Sequence, residues 1–251
     1  SPGTENLFKS WNANTIFLPF AANPNYYKPE FENEINKICF IGSPHSNRSK
    51  IINKLLDGNI STSVYANIKK GGSKKQRKIN KNKREFSNAL KMMRFKVGRK
   101  LLLSSAVNKR GKKIELNYKD ENLEILPPVS FEELPTVYSR YALSLATSAA
   151  KRTGDLARPV DFILLRNFEI PMSGGLQFCS YSNELSQYFE EDREILFYRN
   201  DKEFIDKASF YLRDDNHTLR VNMKLAARKR AKNEHTWVNR FEKVFATLGI
   251  K

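Results

Sequence analysis

Short apolar runs alternate with amphipathic stretches along most of this chain. The apolar runs predict strands near 37–41, 63–66, 123–126, 142–146, 176–180 and 195–198. Apolar residues spaced three and four apart predict helices near 49–56, 131–138, 163–172, 183–189, 202–212, 218–233 and 236–248. This alternation favours an α/β fold, a Rossmann-like parallel sheet with helices on both faces.

The ends of the predicted strands indicate where a ligand would bind. In open parallel sheets, ligands lie beyond the carboxyl ends of the strands. Gly42, Pro127 and Glu169 fall in, or just after, loops that follow predicted strands. We therefore expect a binding site built from these loops.

The stretch from 163 to 179 is the most informative part of the sequence. It predicts a helix start that carries one acid, Glu169, and then Gly174, Gly175 and a buried strand. The unpaired amides and the dipole of a helix N-terminus attract a diphosphate, and a carboxylate one turn further on can accept two ribose hydroxyls. This arrangement is typical of a nucleotide-sugar site. On periodicity alone, an ordinary helix with one exposed glutamate is the alternative.

Three segments, in order along the chain, carry a family resemblance. Residues 166–175 resemble an Arg-x-Phe-Glu-x-Pro-x-x-Gly-Gly signature. Residues 125–138 resemble a strand, a base-contacting loop and a helix, while residues 38–42, followed by Arg48, resemble a first strand with its glycine loop. Together they resemble the C-terminal, donor-binding half of a GT-B glycosyltransferase of the group 1 type, in particular its CgeB-like (spore maturation protein) branch.

The resemblance implies binding of a nucleotide-activated sugar, UDP- or GDP-linked, for transfer to a glycan, lipid-linked or other acceptor in cell-surface polysaccharide synthesis. It places Glu169 on the ribose, and Arg166 and Arg48 near the diphosphate. Positive groups would stabilise the departing diphosphate, so the implied chemistry is metal-independent, with retention of configuration. The donor-binding residues implied are Glu169, Arg166, Leu165, Gly42, Arg48, Leu126, Pro127, Gly174 and Gly175, with the backbone of Leu126 and Pro127 beside the base.

The resemblance also predicts the domain organisation. Residues 1–30 are similar to a crossover segment between domains, and residues 31–251 would form the nucleotide-sugar-binding domain, with a basic insertion at 69–113. Retaining GT-B enzymes often carry a Glu-x7-Glu pair, and here Asp161 stands eight residues before Glu169. The acceptor-binding half is expected in an N-terminal domain or a partner chain. This chain alone is expected to bind donor and to be inactive or nearly so.

The positive charge of the chain is concentrated in the predicted insertion. The formal net charge is +17. Residues 69–113 hold 18 Lys and Arg against one acid, Glu85, and account for all of it. Apolar residues recur at helical spacing between the basic ones, which predicts a basic amphipathic helix. The apolar positions are Phe86, Leu90, Met93, Val97 and Leu101, and the basic ones are Lys83, Arg84, Lys91, Arg94 and Arg99.

Three kinds of partner fit such a helix. It can lie on an anionic membrane surface, pack its apolar stripe on the domain, or bind a polyanion such as nucleic acid or an acidic polysaccharide. Nucleic acid is the least favoured, because the sequence has no zinc-finger spacing and no recognition helix beyond this stretch. The alternative function is a non-catalytic interaction module that binds a membrane or a polyanion through the insertion.

The remaining candidate chemistry is sparse. The three histidines match no metal-ligand spacing. Cys39 and Cys179 fall in predicted buried strands, which favours reduced thiols. The sequence predicts neither a signal peptide nor a membrane-spanning helix, so we expect a cytoplasmic location, with peripheral contact at the inner membrane face as an option.

Overall fold

The computed structural model describes residues 8–12, 15–31, 33–45, 47–67, 90–110, 114–147, 153, 156 and 162–250. Five residues named in the sequence analysis, Lys83, Arg84, Glu85, Phe86 and Asp161, lie outside this part of the chain.

Six parallel strands form the central sheet. They are β1 (Ile35–Ile41), β2 (Thr62–Tyr65), β3 (Leu123–Leu126), β4 (Tyr141–Leu145), β5 (Gln177–Ser180) and β6 (Leu196–Tyr198). Their order is β3-β2-β1-β4-β5-β6, and every neighbouring pair is parallel. Each strand overlaps its predicted position, so the predicted Rossmann-like sheet is confirmed.

The direction in which strands are added to the sheet reverses between β1 and β4. These two strands are neighbours, with Ile38 opposite Leu143 and Cys39 opposite Ser144, yet β2 and β3 lie on one side and β5 and β6 on the other. The described helices that follow β1 and β4 pack on opposite faces of the sheet, and a crevice lies between them at the carboxyl ends of the strands.

Seven α-helices of at least seven residues lie in the described part of the chain. They are α1 (Asn47–Asp57), α2 (Lys96–Arg110), α3 (Leu134–Arg140), α4 (Arg166–Met172), α5 (Asp201–Tyr211), α6 (His217–Glu234) and α7 (Trp237–Leu248). Helix α1 packs with α5, and α4 packs with α6. Of the seven helices predicted outside the insertion, all but the one at 183–189 are confirmed, with shifts at their ends.

Two predicted helices differ in the structure. The segment predicted as a helix at 183–189 contains only a 3-10 turn, Leu185–Gln187. The helix predicted at 163–172 begins at Arg166 without a side-chain cap; in the turn just before it, the side chain of Asn167 accepts a hydrogen bond from the Leu164 amide at 2.7 Å. Helix α4 therefore has seven residues, with Pro171 near its end.

Local sequence signals set the boundaries of the last helices. Asn200 accepts a hydrogen bond from the Glu203 amide at 2.9 Å and caps α5. Thr236 and Asn239 form a capping box at the start of α7. Gly249 ends α7 with a φ of 68°, in the left-handed region that glycine adopts without strain.

Buried side chains on both faces hold the helices to the sheet. On one face, Phe40 of β1 packs in a cluster with Ile52 of α1 and Phe204 of α5. On the other face, Cys39 of β1 packs in a cluster with Phe168 of α4. Burial of one large apolar side chain contributes about 1.5–3 kcal/mol, so these two clusters fix α1 and α4 on either side of the crevice.

The segment before β1 is tied to the C-terminal helices. Glu34 is half-buried and accepts hydrogen bonds from Arg220 Nε at 3.0 Å and Lys224 Nζ at 2.7 Å, both on α6. The Ala22 amide donates to the His235 carbonyl at 3.1 Å. These contacts hold this segment against the domain, beside the strands that form the site.

The predicted continuous amphipathic helix in the insertion is wrong over its described part. A helical turn ends at Met93, and α2 begins only at Lys96. A Cβ at Gly98 would lie 1.9 Å from the Met92 carbonyl oxygen, so the turn and α2 meet at a distance that only glycine allows. Leu90 and Met93 are exposed, so neither is packed on the sheet.

Candidate functional site

The crevice at the carboxyl end of β1 holds two arginines. Arg166, the first residue of α4, donates from Nη1 to the carbonyl oxygen of Ile41, the last residue of β1, at 3.1 Å. Arg48, in the first turn of α1, donates from Nη1 to the Ser43 carbonyl at 3.3 Å. Both guanidinium groups therefore lie beside the loop that follows β1.

These two arginines form an unneutralised pair. Burial, and then the positive charge of Arg166, lower the pKa of Arg48. The Arg48 guanidinium also lies over the Phe40 ring, 5.9 Å from its centre. Within the described residues, no carboxylate forms an ion pair with either arginine. Two such cations at a sheet edge favour an anion that carries more than one negative charge.

Gly42 keeps the surface between this loop and Arg48 open. Its φ of 139° lies in a region that residues with a Cβ rarely adopt. A Cβ at this position would lie 3.7 Å from Arg48 Nη1. The Gly42 amide donates to the Tyr65 carbonyl at 3.0 Å, which fixes the loop to the end of β2.

Glu169 lies one helical turn along α4 from Arg166 and is buried. Its Oε1 accepts a hydrogen bond from the hydroxyl of Tyr27, in the segment before β1. Burial, and then this hydrogen bond, raise the pKa of Tyr27, so its hydroxyl stays protonated as a donor. Within the described residues, Oε2 accepts no hydrogen bond, which leaves that oxygen for a ligand.

Aromatic side chains surround this carboxylate. Tyr26 stacks on Phe131, with ring centres 4.4 Å apart and planes inclined by 22°. Tyr27 lies edge-on to Phe131, at 6.3 Å between ring centres. The hydroxyl of Tyr26 is buried and has no hydrogen-bond partner among the described residues.

Tyr138 of α3 completes the aromatic surroundings. Burial is the main cause that raises the pKa of its hydroxyl; the charge of Arg166 lowers it and that of Glu169 raises it, so Tyr138 lies near both groups. The motif at 125–138 ends on Tyr138 but gave it no role at the site, and Tyr27 was not identified at all. The adjacent tyrosines at 26 and 27 are visible in the sequence, but no spacing indicates a partner 142 residues away.

A second depression opens at the same end of α4. It is a cleft of about 420 Å³ lined by Phe17, Leu18, Pro19, Phe20, Phe162, Ile163, Leu164 and Glu184. Residues 162–164 lead directly into α4. Apart from one carboxylate, its side chains are apolar, so this cleft differs in character from the arginine crevice and favours contact with another apolar surface.

Two of the predicted base-contacting residues lie at the same edge of the sheet as the arginines. Leu126 ends β3, and Pro127 follows it on the surface. Since β3 is two strands away from β1, Leu126 lies about 10 Å from the end of β1. Leu165 immediately precedes α4 and is exposed.

The glycine pair lies at the other end of α4 from Arg166. Gly174 has a φ of 77°, and a Cβ there would lie 2.8 Å from the Phe31 ring and 2.9 Å from Pro29 Cβ. A Cβ at Gly175 would lie 2.8 Å from the Tyr138 carbonyl oxygen. Both glycines therefore permit close packing where the chain enters β5, and a direct contact with donor stays a prediction.

The structure changes the predicted source of positive potential. A helix of seven residues, with Pro171 inside it, has few aligned peptide dipoles. The predicted contribution of the helix N-terminus is therefore small beside the full charges of Arg48 and Arg166. These two side chains provide the positive character of the crevice.

The remaining candidate residues lie elsewhere in the described part of the chain. Lys91, Arg94 and Arg99 are exposed at and before the start of α2. Cys39 and Cys179 are buried and neither is in a disulfide, and burial raises the pKa of the Cys39 thiol to about 12.

The described residues contain neither a candidate metal site nor a candidate membrane-spanning helix. No group of three or more His, Cys, Asp or Glu side chains lies close enough together there to hold a metal ion. No helix of this part is long and apolar enough to cross a membrane.

Comparison with a protein family gives the identity of the domain. Residues 77–246, more than half of the chain, match the profile of a family described as glycosyl transferase-like. The chain belongs to the glycosyl transferase-like family. No curated protein matches the sequence of this family member.

Solved structures share the fold of this glycosyl transferase-like domain. Sucrose-phosphate synthase from Thermosynechococcus elongatus aligns with a TM-score of 0.58 at 14% identity, over 99% of this chain and 57% of its own. HepE from Anabaena, in complex with UDP, aligns with a TM-score of 0.57 at 10% identity, over 99% of this chain and 62% of its own.

A third structure is an isolated domain. The C-terminal domain of LpcC, a glycosyl transferase group 1 family protein from Francisella tularensis, aligns over 86% of this chain and 100% of its own, with a TM-score of 0.51 at 10% identity. At these identities the similarity shows the fold, which is that of a GT-B C-terminal domain. The chain spans 57–62% of the two longer proteins.

Proposed function

We propose that this domain binds the nucleotide-sugar donor of a GT-B glycosyltransferase of the CgeB-like branch. The observation that carries the proposal is the pair of unneutralised arginines, Arg48 and Arg166, at the point where the strand order reverses, with Glu169 one turn away. HepE, which shares the fold, was solved with UDP and with UDP-glucose. A UDP-linked donor is therefore the first choice, and a GDP-linked donor the second.

Each proposed contact follows from the position of its residue. Arg48 and Arg166 neutralise the diphosphate beside the open backbone of Gly42. Glu169 accepts the ribose hydroxyls through Oε2, because Tyr27 occupies Oε1. The nucleoside extends along the sheet edge toward β3.

The other predicted residues have lesser proposed roles. The backbone of Leu126 and Pro127 lies beside the base, and Leu165 lies at the entry to α4. We propose that Gly174 and Gly175 act indirectly, by allowing the packing that holds the far end of α4.

The proposed chemistry is transfer of the sugar with departure of the nucleoside diphosphate. The two arginines stabilise the charge that develops on the leaving diphosphate, in a crevice whose low dielectric strengthens the interaction. This stabilisation needs no metal ion. We propose a retaining outcome, with Asp161 in the place of the first acid of the Glu-x7-Glu pair, and transfer to a glycan, lipid-linked or other acceptor in cell-surface polysaccharide synthesis.

We propose that an N-terminal domain or a partner chain supplies the acceptor site. In this proposal residues 1–30 are the crossover segment, and residues 31–251 are the donor-binding domain. The apolar cleft beside α4 and the exposed apolar side chains of α7 support this partner. Helix α7 lies against the crossover, since Arg240 Nε donates to the Phe20 carbonyl at 3.3 Å. The exposed apolar side chains of α7 are Trp237, Val238, Phe241, Phe245 and Leu248.

We place this activity in the cytoplasm. The buried thiol of Cys39, which is not in a disulfide, supports this location, because reduced cysteines are usual in a reducing compartment.

The test is calorimetric titration of the folded chain with UDP, GDP, CDP and ADP. We expect one nucleotide to bind. Glu169→Gln keeps an oxygen that can accept from Tyr27 but removes the charge, and Arg48→Gln removes one cation from the diphosphate. Each is expected to weaken binding about tenfold or more, since hydrogen bonds to charged groups contribute about 1.5–3 kcal/mol.

The matched control is Glu242→Gln, which changes an exposed glutamate on α7 and should leave affinity unchanged. Circular dichroism of each variant shows whether the fold is kept. If the folded chain binds none of the four nucleotides, the donor site is refuted, and the non-catalytic interaction module becomes the better hypothesis.

A further inference from the structure

Exposed apolar and basic side chains occur together around the start of α2. Leu90 is 52% exposed, Met93 53%, Phe95 46% and Leu103 63%. Large apolar side chains this exposed are unfavourable in water unless a partner covers them. We define the α2 patch as Leu90, Lys91, Met93, Arg94, Phe95, Arg99 and Leu103.

Apolar and basic side chains alternate along one face of the patch. Phe95, Arg99 and Leu103 follow one another at steps of four residues. The Arg99 amide donates to the Phe95 carbonyl at 2.9 Å, so the helical path already includes Phe95. Residues four apart lie on one face of a helix, so a cation lies between two exposed apolar side chains.

The basic side chains of the patch lie without carboxylate partners among the described residues. Lys91, Arg94 and Arg99 are exposed, and within the described residues none of them forms an ion pair with a carboxylate. The surrounding sequence, 69–113, contains a single acid, Glu85, among its 18 basic residues. The partner that complements this surface is therefore anionic.

We propose that the α2 patch docks on an anionic lipid surface. The apolar side chains enter the boundary between headgroups and acyl chains, and the basic ones lie at the level of the lipid phosphates. A polyanion in solution would pair with the basic residues but leave Leu90, Met93 and Leu103 in water. A lipid surface satisfies both sets of side chains.

The first experiment is flotation of the full chain with two kinds of vesicle: phosphatidylcholine alone, and equal parts of phosphatidylcholine and phosphatidylglycerol. We expect binding to the anionic vesicles only. Arg94→Gln and Arg99→Gln should each weaken it about fivefold, from the typical contribution of one basic residue near an anionic surface. Phe95→Ser and Leu103→Ser should each weaken vesicle binding by a similar factor, about fivefold. About half of each apolar side chain is exposed in the free chain and would be buried on docking, and each substitution removes that burial.

Matched controls exist on other helices. Phe210 of α5 and Leu225 of α6 are 43% and 48% exposed, so Phe210→Ser and Leu225→Ser make the same chemical changes away from the patch. Arg213→Gln removes an exposed cation that precedes α6. Vesicle binding should be unchanged in all three, and equal losses in these variants would contradict the proposal.

A spectroscopic experiment distinguishes lipid from polyanion. Phe95→Trp places a reporter in the patch, and we expect its emission to shift to shorter wavelength with anionic vesicles and to be quenched by brominated acyl chains. Phe210→Trp should show neither change.

The result that overturns the proposal is absence of vesicle binding, or binding to heparin or polyuridylate with the same affinity in Phe95→Ser and Leu103→Ser as in the unchanged chain. That second result would assign the patch to a polyanion. Neither outcome depends on nucleotide binding, so this proposal and the donor site can fail separately.

Discussion

The contact between Tyr27 and Glu169 links the crossover segment to the proposed donor site. A buried carboxylate is costly unless donors satisfy it, and the Tyr27 hydroxyl supplies one donor. Because that donor occupies Oε1, the orientation of the carboxylate is set before any ligand arrives. We infer that Tyr27 is a positioning residue for Glu169.

Tyr27→Phe tests this contact. It removes only the hydroxyl, and we expect it to lower the free energy of unfolding by about 1.5–3 kcal/mol, because the lost hydrogen bond reaches a charged group. Nucleotide affinity should also fall, by less than in Glu169→Gln. Chemical denaturation and calorimetry measure the two effects.

Tyr26→Phe is the matched control for that change. The Tyr26 hydroxyl is buried without a partner in the described part of the chain. Its removal should therefore leave stability unchanged or raise it slightly. Equal losses of stability in the two variants would show that the hydrogen bond to Glu169 is not what Tyr27 contributes.

At the scale of elements, α4 connects the crevice to the core. Its first residue contacts the end of β1, and its last turn leads through the glycine pair into β5. Any displacement of the glycine end moves a short, rigid helix that carries both Arg166 and Glu169. Packing at this end therefore affects the geometry of the site.

Gly174→Ala should destabilise the domain by about 2–5 kcal/mol. A residue with a Cβ in the left-handed conformation costs about 1–2 kcal/mol, and the contact with the Phe31 ring and Pro29 adds the cost of overpacking, about 1–3 kcal/mol. Thermal and denaturant unfolding measure the change.

Gly249→Ala separates these two costs. Gly249 has a φ of 68°, close to that of Gly174, but no atom lies within 4 Å of the position of a Cβ. We expect a loss of only about 1–2 kcal/mol. If the two variants lose the same stability, crowding at Gly174 plays no part.

At the scale of the whole molecule, one buried histidine joins the crossover to α7. His235 Nε2 lies 2.9 Å from the Tyr188 carbonyl, and Nδ1 lies 3.2 Å from Arg240 Nη2. The neutral ring satisfies both contacts, with Nε2 as donor and Nδ1 as acceptor. Protonation of Nδ1 would remove the acceptor of the hydrogen bond from Arg240 and would place a positively charged imidazolium opposite that guanidinium.

This arrangement predicts that stability falls in acid. Burial is the main cause that lowers the pKa of His235 in the folded chain, and the charge of Arg240 lowers it further. The unfolded chain then takes up a proton below a pH of about 6.5, where the folded chain does not. The free energy of unfolding should decrease as the pH falls from 7 to 5.

His235→Gln keeps a donor and an acceptor but cannot titrate. We expect a lower stability at pH 7 and a weaker dependence on pH between 7 and 5, measured by denaturant unfolding. The control His45→Gln changes an exposed histidine and should keep the original slope. A slope that His235→Gln leaves unchanged would assign the acid sensitivity to other groups.

The site was predictable from sequence only in part. Glu169, Arg166, Arg48 and Gly42 were identified through motifs, and the structure brings all four to one region. The helix-dipole contribution was overestimated, since α4 begins three residues later than predicted and has only seven residues. The continuous helix of the insertion was wrong because hydrophobic spacing does not show a break at residues 94 and 95.

The sequence by itself determined the strands and most helices and indicated Glu169 as the candidate acid, because hydrophobic periodicity, helix caps and glycines act over a few neighbouring residues. Only the tertiary structure decided which distant groups meet. Arg166 contacts a carbonyl 125 residues away, and Tyr27 contacts Glu169 across 142 residues. The exposure of Phe95 and Leu103 was also decided there. Such contacts depend on strand order and helix packing, which no local pattern along the chain records.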